Sequence, residues 1–406
     1  MENESDMITR ITNHLPRSAD CVIIGGGIIG AATAFYAGRA GLRSVVLEKR
    51  PALCTLTTPV STGAFRAQFD NPEEIALVRE SIAVFENFPD HVGIKGYDIG
   101  LRQQGYLWLT TTSEGAERQK KIVELQRSWG LTDVELLSGD EARRRWPYLA
   151  PEVASARFRQ GDGWLDAKKV TMGFAAAAVS RGATFCVETE ATGFMVEGGR
   201  VKGVLTNRGA ITCDQAVIAT GPFSGTVAKL AGLELNFQLR IRQKLTLPET
   251  PEVPQDAPMT IDEDTGAHWR PSGRGAYLLY TQHDSPAGPP LEDVPTSANL
   301  YFNLLRPDSS ASAARIAPFW RRVWERNIDP WYLMGGQYTY TPDHRPYLGP
   351  TQIDGLYINS GYSGHGIMGS AGGSQLTVSA MVGKLRPEEN PFKLNRPIES
   401  RELDLL

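Results

Sequence analysis

With 42 Lys and Arg against 46 Asp and Glu, the 406-residue chain carries a formal charge of −4 and has no standout basic run. That balance argues against a nucleic-acid-binding protein. No stretch approaches the roughly twenty apolar residues that span a bilayer. The length suits two or three subdomains rather than one small core.

The N-terminal stretch "MENESDMITRITNHLPRSAD" is polar and carries Glu2, Glu4 and Asp6, unlike a secretory signal or an acid-poor transit peptide. Cys21, Cys54, Cys186 and Cys213 form no C-x-x-C pair, which fits reduced thiols in a cytoplasmic protein. The six histidines are scattered, and no metal site is expected.

Cys21 to Ile24 is a short apolar run, as expected of a parallel strand buried on both faces. Gly25, Gly27 and Gly30 then fit G-x-G-x-x-G. In that pattern the first glycine permits the turn, the second lets phosphate approach, and the third lets helix and strand pack closely. Ile28, Ala32 and Phe35 share one helical face, Ile29 lies beside them, and Gly41 marks a stop. Ser44 to Leu47 forms the next strand, ending at Glu48, 18 residues after Gly30. Its carboxylate suits the hydroxyls of an adenosine ribose. Strand, turn, helix, strand and acid together predict a dinucleotide-binding unit.

Further on, Asn71, Pro72 and Glu74 signal a helix start, Ile75, Val78, Ile82 and Phe85 mark its buried face, and Pro89 closes it. "GYLWLTTT" (105–112) reads as a strand and the charged stretch 115–145 as surface helices. A second helix is capped at Asp166 and ends near Gly182. Short strands follow around the turns at Gly198-Gly199 and Asn207-Arg208-Gly209, ending in the strand Ala216 to Ala219. From 231 to 331, strand candidates such as "RQKLTL" and "AYLLYT" alternate with proline-rich loops, predicting a mostly antiparallel sheet. "LYINS", a glycine loop and a helix close the pattern.

Gly364, Gly366 and Gly369 repeat the glycine spacing, but too little chain remains for a second dinucleotide unit. The alternative is a helix N-terminus aimed at the ligand of the first site. Its positive end would favour negative charge on a reduced flavin pyrimidine ring.

These pieces resemble the FAD-dependent oxidoreductases of the D-amino-acid oxidase superfamily, in the branch of sarcosine oxidase, glycine oxidase and dimethylglycine dehydrogenase. The matching stretches are "VIIGGGIIGAATAFYAGRAG…SVVLEK", "STGAFRAQF", "GWLDAKKV", "AVIATGPFSG", "YTPDHRPYLGP" and "LYINSGYSGHGIMGSAGG", in family order along nearly the whole chain. The resemblance implies a mixed α/β fold. A Rossmann-like FAD-binding domain is assembled from 1–95, 150–230 and 332–406, with a substrate domain from 96–149 and 231–331.

The resemblance also assigns cofactor contacts. Gly25, Gly27 and Gly30 meet the pyrophosphate, and Glu48 meets the ribose with Lys49 beside it. Ser61, Thr62 and Gly63 pass the flavin ring, and Ala219, Thr220 and Gly221 lie near the dinucleotide. Gly364, His365, Gly366 and Ile367 lie at the pyrimidine edge. The cysteine that carries flavin in monomeric sarcosine oxidases aligns here with Gly336, and Glu48 to Arg66 contains no histidine. Noncovalent FAD is therefore expected.

The implied reaction oxidises a small amine or amino acid to an imine by hydride transfer to flavin N5, with oxygen or another carrier as electron acceptor. A guanidinium suits the substrate carboxylate; Arg66 and Arg270 lead, ahead of Arg242, Arg306 and Arg345. His365 and Tyr340 are further candidates, and Tyr338, Tyr340, Trp269 and Tyr362 could form an aromatic cage. Asp343 reads as a turn-ordering residue. Two other readings compete: an assembly or scaffold flavoprotein without amine turnover, and a dehydrogenase using NAD alone. Monomer and homo-oligomer both remain open.

Overall fold

Strand Cys21–Ile24 is buried at every position because it is paired on both sides, parallel to Ser44–Leu47 and parallel to Gln215–Ile218. The computed structural model describes residues 11–12, 14–281 and 285–398, so the polar N-terminal reading falls largely outside the described residues. The first sheet runs Ile11–Thr12, Thr184–Cys186, Ser44–Leu47, Cys21–Ile24, Gln215–Ile218, Leu356–Ser360, Tyr347–Pro350. Only its last pair is antiparallel. From Cys21–Ile24 the chain first builds outward on one side and later on the other. Such a reversal leaves a crevice at the carboxyl ends of the two central strands.

Helices Ile28–Arg39, Ala167–Val179 and Gly366–Met381 pack together over this sheet, with Pro72–Glu86 against the last of them. Asp166 caps Ala167–Val179 by accepting from the Lys168 and Lys169 amides. Asn71 caps Pro72–Glu86 by accepting from the Glu74 amide at 2.8 Å. The return contact differs from a capping box, since Glu74 accepts from the Asn71 side-chain amide at 2.7 Å.

The second sheet runs Ala287–Gly288, Gln238–Leu247, Gly275–Tyr280, Ala267–Ser272, Met259–Asp262, Tyr106–Thr110, Ser155–Arg159, Glu135–Ser138. Tyr332–Tyr340 pairs along Gln238–Leu247. All its pairings are antiparallel except Met259–Asp262 with Tyr106–Thr110. Side chains alternate across a strand with period two. Leu245, Leu247, Trp269 and Leu278 accordingly join a core with Leu304, Phe319 and Trp320. Lys244, His268, Arg270 and Tyr277 stand on the opposite face.

One expectation needs correction. The charged stretch 115–145 holds helices Ser113–Ser128 and Gly139–Arg145 but also the edge strand Glu135–Ser138, whose pairing with Ser155–Arg159 no local pattern announces. Hydrogen bonding also crosses the expected division of the chain. Ser155–Arg159 and Tyr332–Tyr340, grouped by sequence with the dinucleotide-binding segments, belong to the second sheet. Among the described residues no helix is long and apolar enough to cross a membrane, and no group of three or more His, Cys, Asp or Glu could hold a metal ion.

The Asn71 cap is buried and satisfies an otherwise orphaned amide. Asn71→Ala is expected to remove about 1 kcal/mol of stability, read as a lower urea denaturation midpoint.

Candidate active site

Gly25 has φ +113°, a conformation open to glycine, and a β-carbon there would stand 2.4 Å from the Ala219 carbonyl oxygen. At Gly30 it would stand 1.8 Å from the Gly25 carbonyl oxygen. Gly27 differs: its only near neighbour is Thr58 Oγ1 at 3.5 Å, so the turn has room at that point. Gly27 also opens helix Ile28–Arg39 without any side-chain cap or acid in the first turn.

Glu48 holds this turn in place. One carboxylate oxygen accepts from the Gly26 amide and the other from the Arg50 amide, both at 2.8 Å. Burial pushes its pKa upward, against the pull of those two amides. Lys49 pairs with Glu292 and lies 3.5 Å from the Phe223 ring centroid.

Helix Gly366–Met381 begins in the same place. His365 provides no side-chain cap, and the first turn contains no acid. Gly364 has φ +96°, and a β-carbon there would collide with the Tyr338 ring at 2.6 Å. Gly25, Gly27, Gly364 and Gly366 all line one cavity of about 500 Å³. Two uncapped helix N-termini thus open on a single space, where negative charge is stabilised from both ends.

Ile28, Ile29, Glu48, Lys49 and Ser61 line this cavity as well. So do Ala219, Thr220, Gly221 and Ile367. Gly30 lies behind the turn and acts through packing. Sequence reasoning missed the cavity residues Thr57, Thr58 and Gln337, which carry no motif; Thr58 Oγ1 reaches toward the Ile28 amide at 3.5 Å.

Other expected site residues lie outside this lining. Thr62, Gly63 and Arg270 line a second cavity, and Arg270 donates to the Thr62 carbonyl at 2.7 Å. Tyr340 accepts from Arg242 Nη2 at 3.1 Å and stacks edge-on with His344. The four aromatic residues that could form a cage divide between different surroundings. Trp269 faces the core of the second sheet, and Tyr362 is buried with its hydroxyl on Asn359 at 2.6 Å. Of the four, Tyr338 and Tyr362 line the glycine-walled cavity. Arg306 pairs with Asp308, Arg345 with Glu73, and Asp343 with Arg396 at 2.7 Å.

Arg66 and His365 do meet. Arg66 Nη2 lies 3.2 Å from His365 Nε2, and His365 Nδ1 lies 3.7 Å from Glu74. The buried guanidinium packs over Phe69 at 4.5 Å and Trp108 at 5.0 Å. Nearby on the second sheet, burial pushes His268 down to about 4 and keeps it neutral near pH 7, aided by the charges of Arg242 and Arg66.

Residues 20–380 match the model of the DAO family, described as FAD dependent oxidoreductase. The chain belongs to this family. It is 26% identical over 400 residues to FAD-dependent oxidoreductase domain-containing protein 1 of Xenopus laevis, covering 87% of this chain and 77% of that one. It is 26% identical to the sarcosine oxidase subunit beta of an Arthrobacter species, covering 94% and 91%. Among solved structures it resembles L-proline dehydrogenase from P. horikoshii, with TM-score 0.80 and 25% identity over 93% and 97% of the two chains. Glycine oxidase from Bacillus cereus shares the fold at TM-score 0.79 and 24% identity, over 94% and 100%.

The glycines of the turn separate folding from cofactor binding. Gly30→Ala forces a methyl against backbone and is expected to destabilise the protein by about 3 kcal/mol or more. Gly27→Ala meets only ordinary contact, so the chain should fold normally yet bind FAD about 10-fold or more weakly. Thermal melting of the FAD-free proteins and flavin titration measure the two effects separately.

Proposed function

We propose that this enzyme oxidises a small amine or amino acid, of the sarcosine, glycine or proline kind, to an imine. The observation that carries this reading is the Arg66–His365 contact at the start of the helix whose first turn lines the glycine-walled cavity. The likeness to a sarcosine oxidase subunit and to an L-proline dehydrogenase points to the same class of substrate.

The residues present fit FAD. Gly25, Gly27 and the start of Ile28–Arg39 would hold the pyrophosphate, Glu48 the adenosine ribose, and Gly364 to Ile367 the pyrimidine edge. The two amides on Glu48 leave lone pairs on its carboxylate for ribose hydroxyls. When bound, FAD supplies the acceptor for the hydride leaving the substrate α-carbon. The protein's share is to bind and orient the substrate in a dry chamber.

Arg66 is the anchor we propose for a substrate carboxylate. Its charge is fixed and its planar fork suits two parallel hydrogen bonds. Neutral His268 and the Arg242–Tyr340 pair belong to the sheet face beyond it. The imine leaves for hydrolysis in water, and oxygen or another carrier takes the electrons onward. We further propose that the first sheet and its helices form the cofactor domain and the second sheet the substrate domain. Four buried free cysteines suit a reducing, cytoplasmic setting.

Attachment of FAD is proposed to be noncovalent. Gly336 offers no thiol, and a β-carbon there would already press on Val60 at 3.2 Å. No histidine is among the described residues lining the cavity. The cysteine that does line it, Cys54, turns toward Thr171 at 3.6 Å, and burial raises its pKa. Acid precipitation is expected to release all yellow colour into the supernatant; colour kept in the pellet contradicts this.

Anaerobic mixing with sarcosine, glycine, proline and N-methyl amino acids tests turnover. At least one is expected to bleach the flavin absorbance, and a uniformly inert panel refutes the reading. With the active compound, Arg66→Lys should lower kcat/KM by about 10- to 100-fold, the equivalent of one charged hydrogen bond of about 1.5–3 kcal/mol. An unchanged kcat/KM would remove Arg66 from the site.

A further inference from the structure

The second cavity, about 780 Å³, shares only Ser61 with the cofactor cavity among the described lining residues. Its wall holds two buried cations, Lys244 (5% exposed) and Arg270 (6% exposed). Lys244 Nζ donates to the Pro59 carbonyl at 2.8 Å and the Ser61 carbonyl at 3.2 Å. Arg270 donates to the Thr62 carbonyl at 2.7 Å and the Pro271 carbonyl at 2.7 Å. Carbonyls satisfy the N–H groups but leave two positive charges in place. Among the described residues neither cation has an ion-pair partner within 4.0 Å. Three more cations, Arg102, Lys168 and Lys169, line the same space. Asp166 is the one carboxylate among the described lining residues, and it is engaged in capping the Lys168 and Lys169 amides.

Burial and mutual repulsion work against these charges. Lys244 is pushed down to about 8, by burial first and then by the Arg270 charge, and Arg270 down to about 10, by burial. Neighbouring like charges held out of water are stabilised by an anion placed between them. The cavity is in the size range of small-molecule sites.

We propose that this cavity is a second ligand site that takes a small organic polyanion, a carboxylate or a phosphate ester, independently of the amine substrate. The five cations surround one space with a single, already engaged carboxylate. Both buried cations also hold carbonyls of the Pro59–Thr62 stretch, and Ser61 in that stretch lines the cofactor cavity. Anion binding therefore pulls on a wall that the two cavities share, and the flavin spectrum should report it.

The test uses the FAD-loaded enzyme at constant ionic strength, with inorganic pyrophosphate and citrate titrated in separate calorimetry runs. At least one is expected to bind at a single saturable site, with a shift in flavin absorbance. The stronger of the two identifies phosphate or carboxylate chemistry. Lys244→Met and the solvent-facing Lys168→Glu should each weaken that binding, the former by about 10-fold or more. Lys168→Glu lies at the exposed rim and keeps the test valid should Lys244→Met fail to fold. Arg66→Lys should leave the affinity unchanged, and excess amine substrate should not displace the anion. Absence of saturable heat up to about 10 mM, a range that still detects weak sites, overturns the proposal. So does an affinity indifferent to Lys168→Glu, or one abolished by Arg66→Lys. None of these readings requires that the amine be turned over.

Discussion

A β-carbon at Gly30 would stand 1.8 Å from the Gly25 carbonyl, so helix Ile28–Arg39 can begin where it does only because that atom is missing. The same closeness recurs between Gly25 and the Ala219 carbonyl. These contacts bring the ends of the two central strands and one helix start to a point at the switch in strand order. Helix Gly366–Met381 packs on Ile28–Arg39 and so delivers its own N-terminus to the same cavity. The buried polar contacts Thr33–Ser374 at 3.2 Å, Asn359–Thr33 at 3.1 Å and Asn359–Ser374 at 3.2 Å lock that packing. Specific pairing of this kind fixes one alignment of the helices, where apolar contact alone would tolerate sliding.

The second sheet solves a different problem with the simplest device available, the alternation of side chains. Leu245 and Leu247 alternate with Lys244 and Thr246, Trp269 with His268 and Arg270, and Leu278 with Tyr277. One face is packed by Phe319 and Trp320, and Lys244, Thr246, His268, Arg270 and Tyr277 take the other. A slip of one residue would put the cations into the apolar core. The core therefore fixes the register, and the register aims the chemistry.

That logic also explains what could be read in advance. The βαβ unit, the acid ending its second strand and the final glycine loop were legible because each is a local pattern of strand, turn and helix. The convergence of Gly25 and Gly366 on one cavity followed from arguing what a second glycine cluster without its own acid could serve. Side-chain aim was not legible in the same way. Trp269 and Arg270 are neighbours in sequence, yet the pleat sends one to the core and the other to a cavity wall. Tyr362, which could have joined an aromatic cage, lines the glycine-walled cavity while its hydroxyl is held by Asn359. Edge strand Glu135–Ser138 was hidden by the charges around it, because its pairing partner lies seventeen or more residues away in the register with Ser155–Arg159.

The stretch from Thr57 to Arg66 joins these two systems. Thr58 approaches the start of helix Ile28–Arg39, and Ser61 stands on the wall common to both cavities. Gly63, with φ +72°, turns the chain where a β-carbon would strike the Leu165 carbonyl at 2.0 Å. Arg66 then reaches His365 at the second helix start. Its carbonyls in between are held by Lys244 and Arg270 from the second sheet. A charge change on either cation therefore acts on backbone that also shapes the glycine-walled cavity. Since backbone hydrogen bonds to charged donors are stronger than those to neutral ones, the second sheet anchors this segment through its cations.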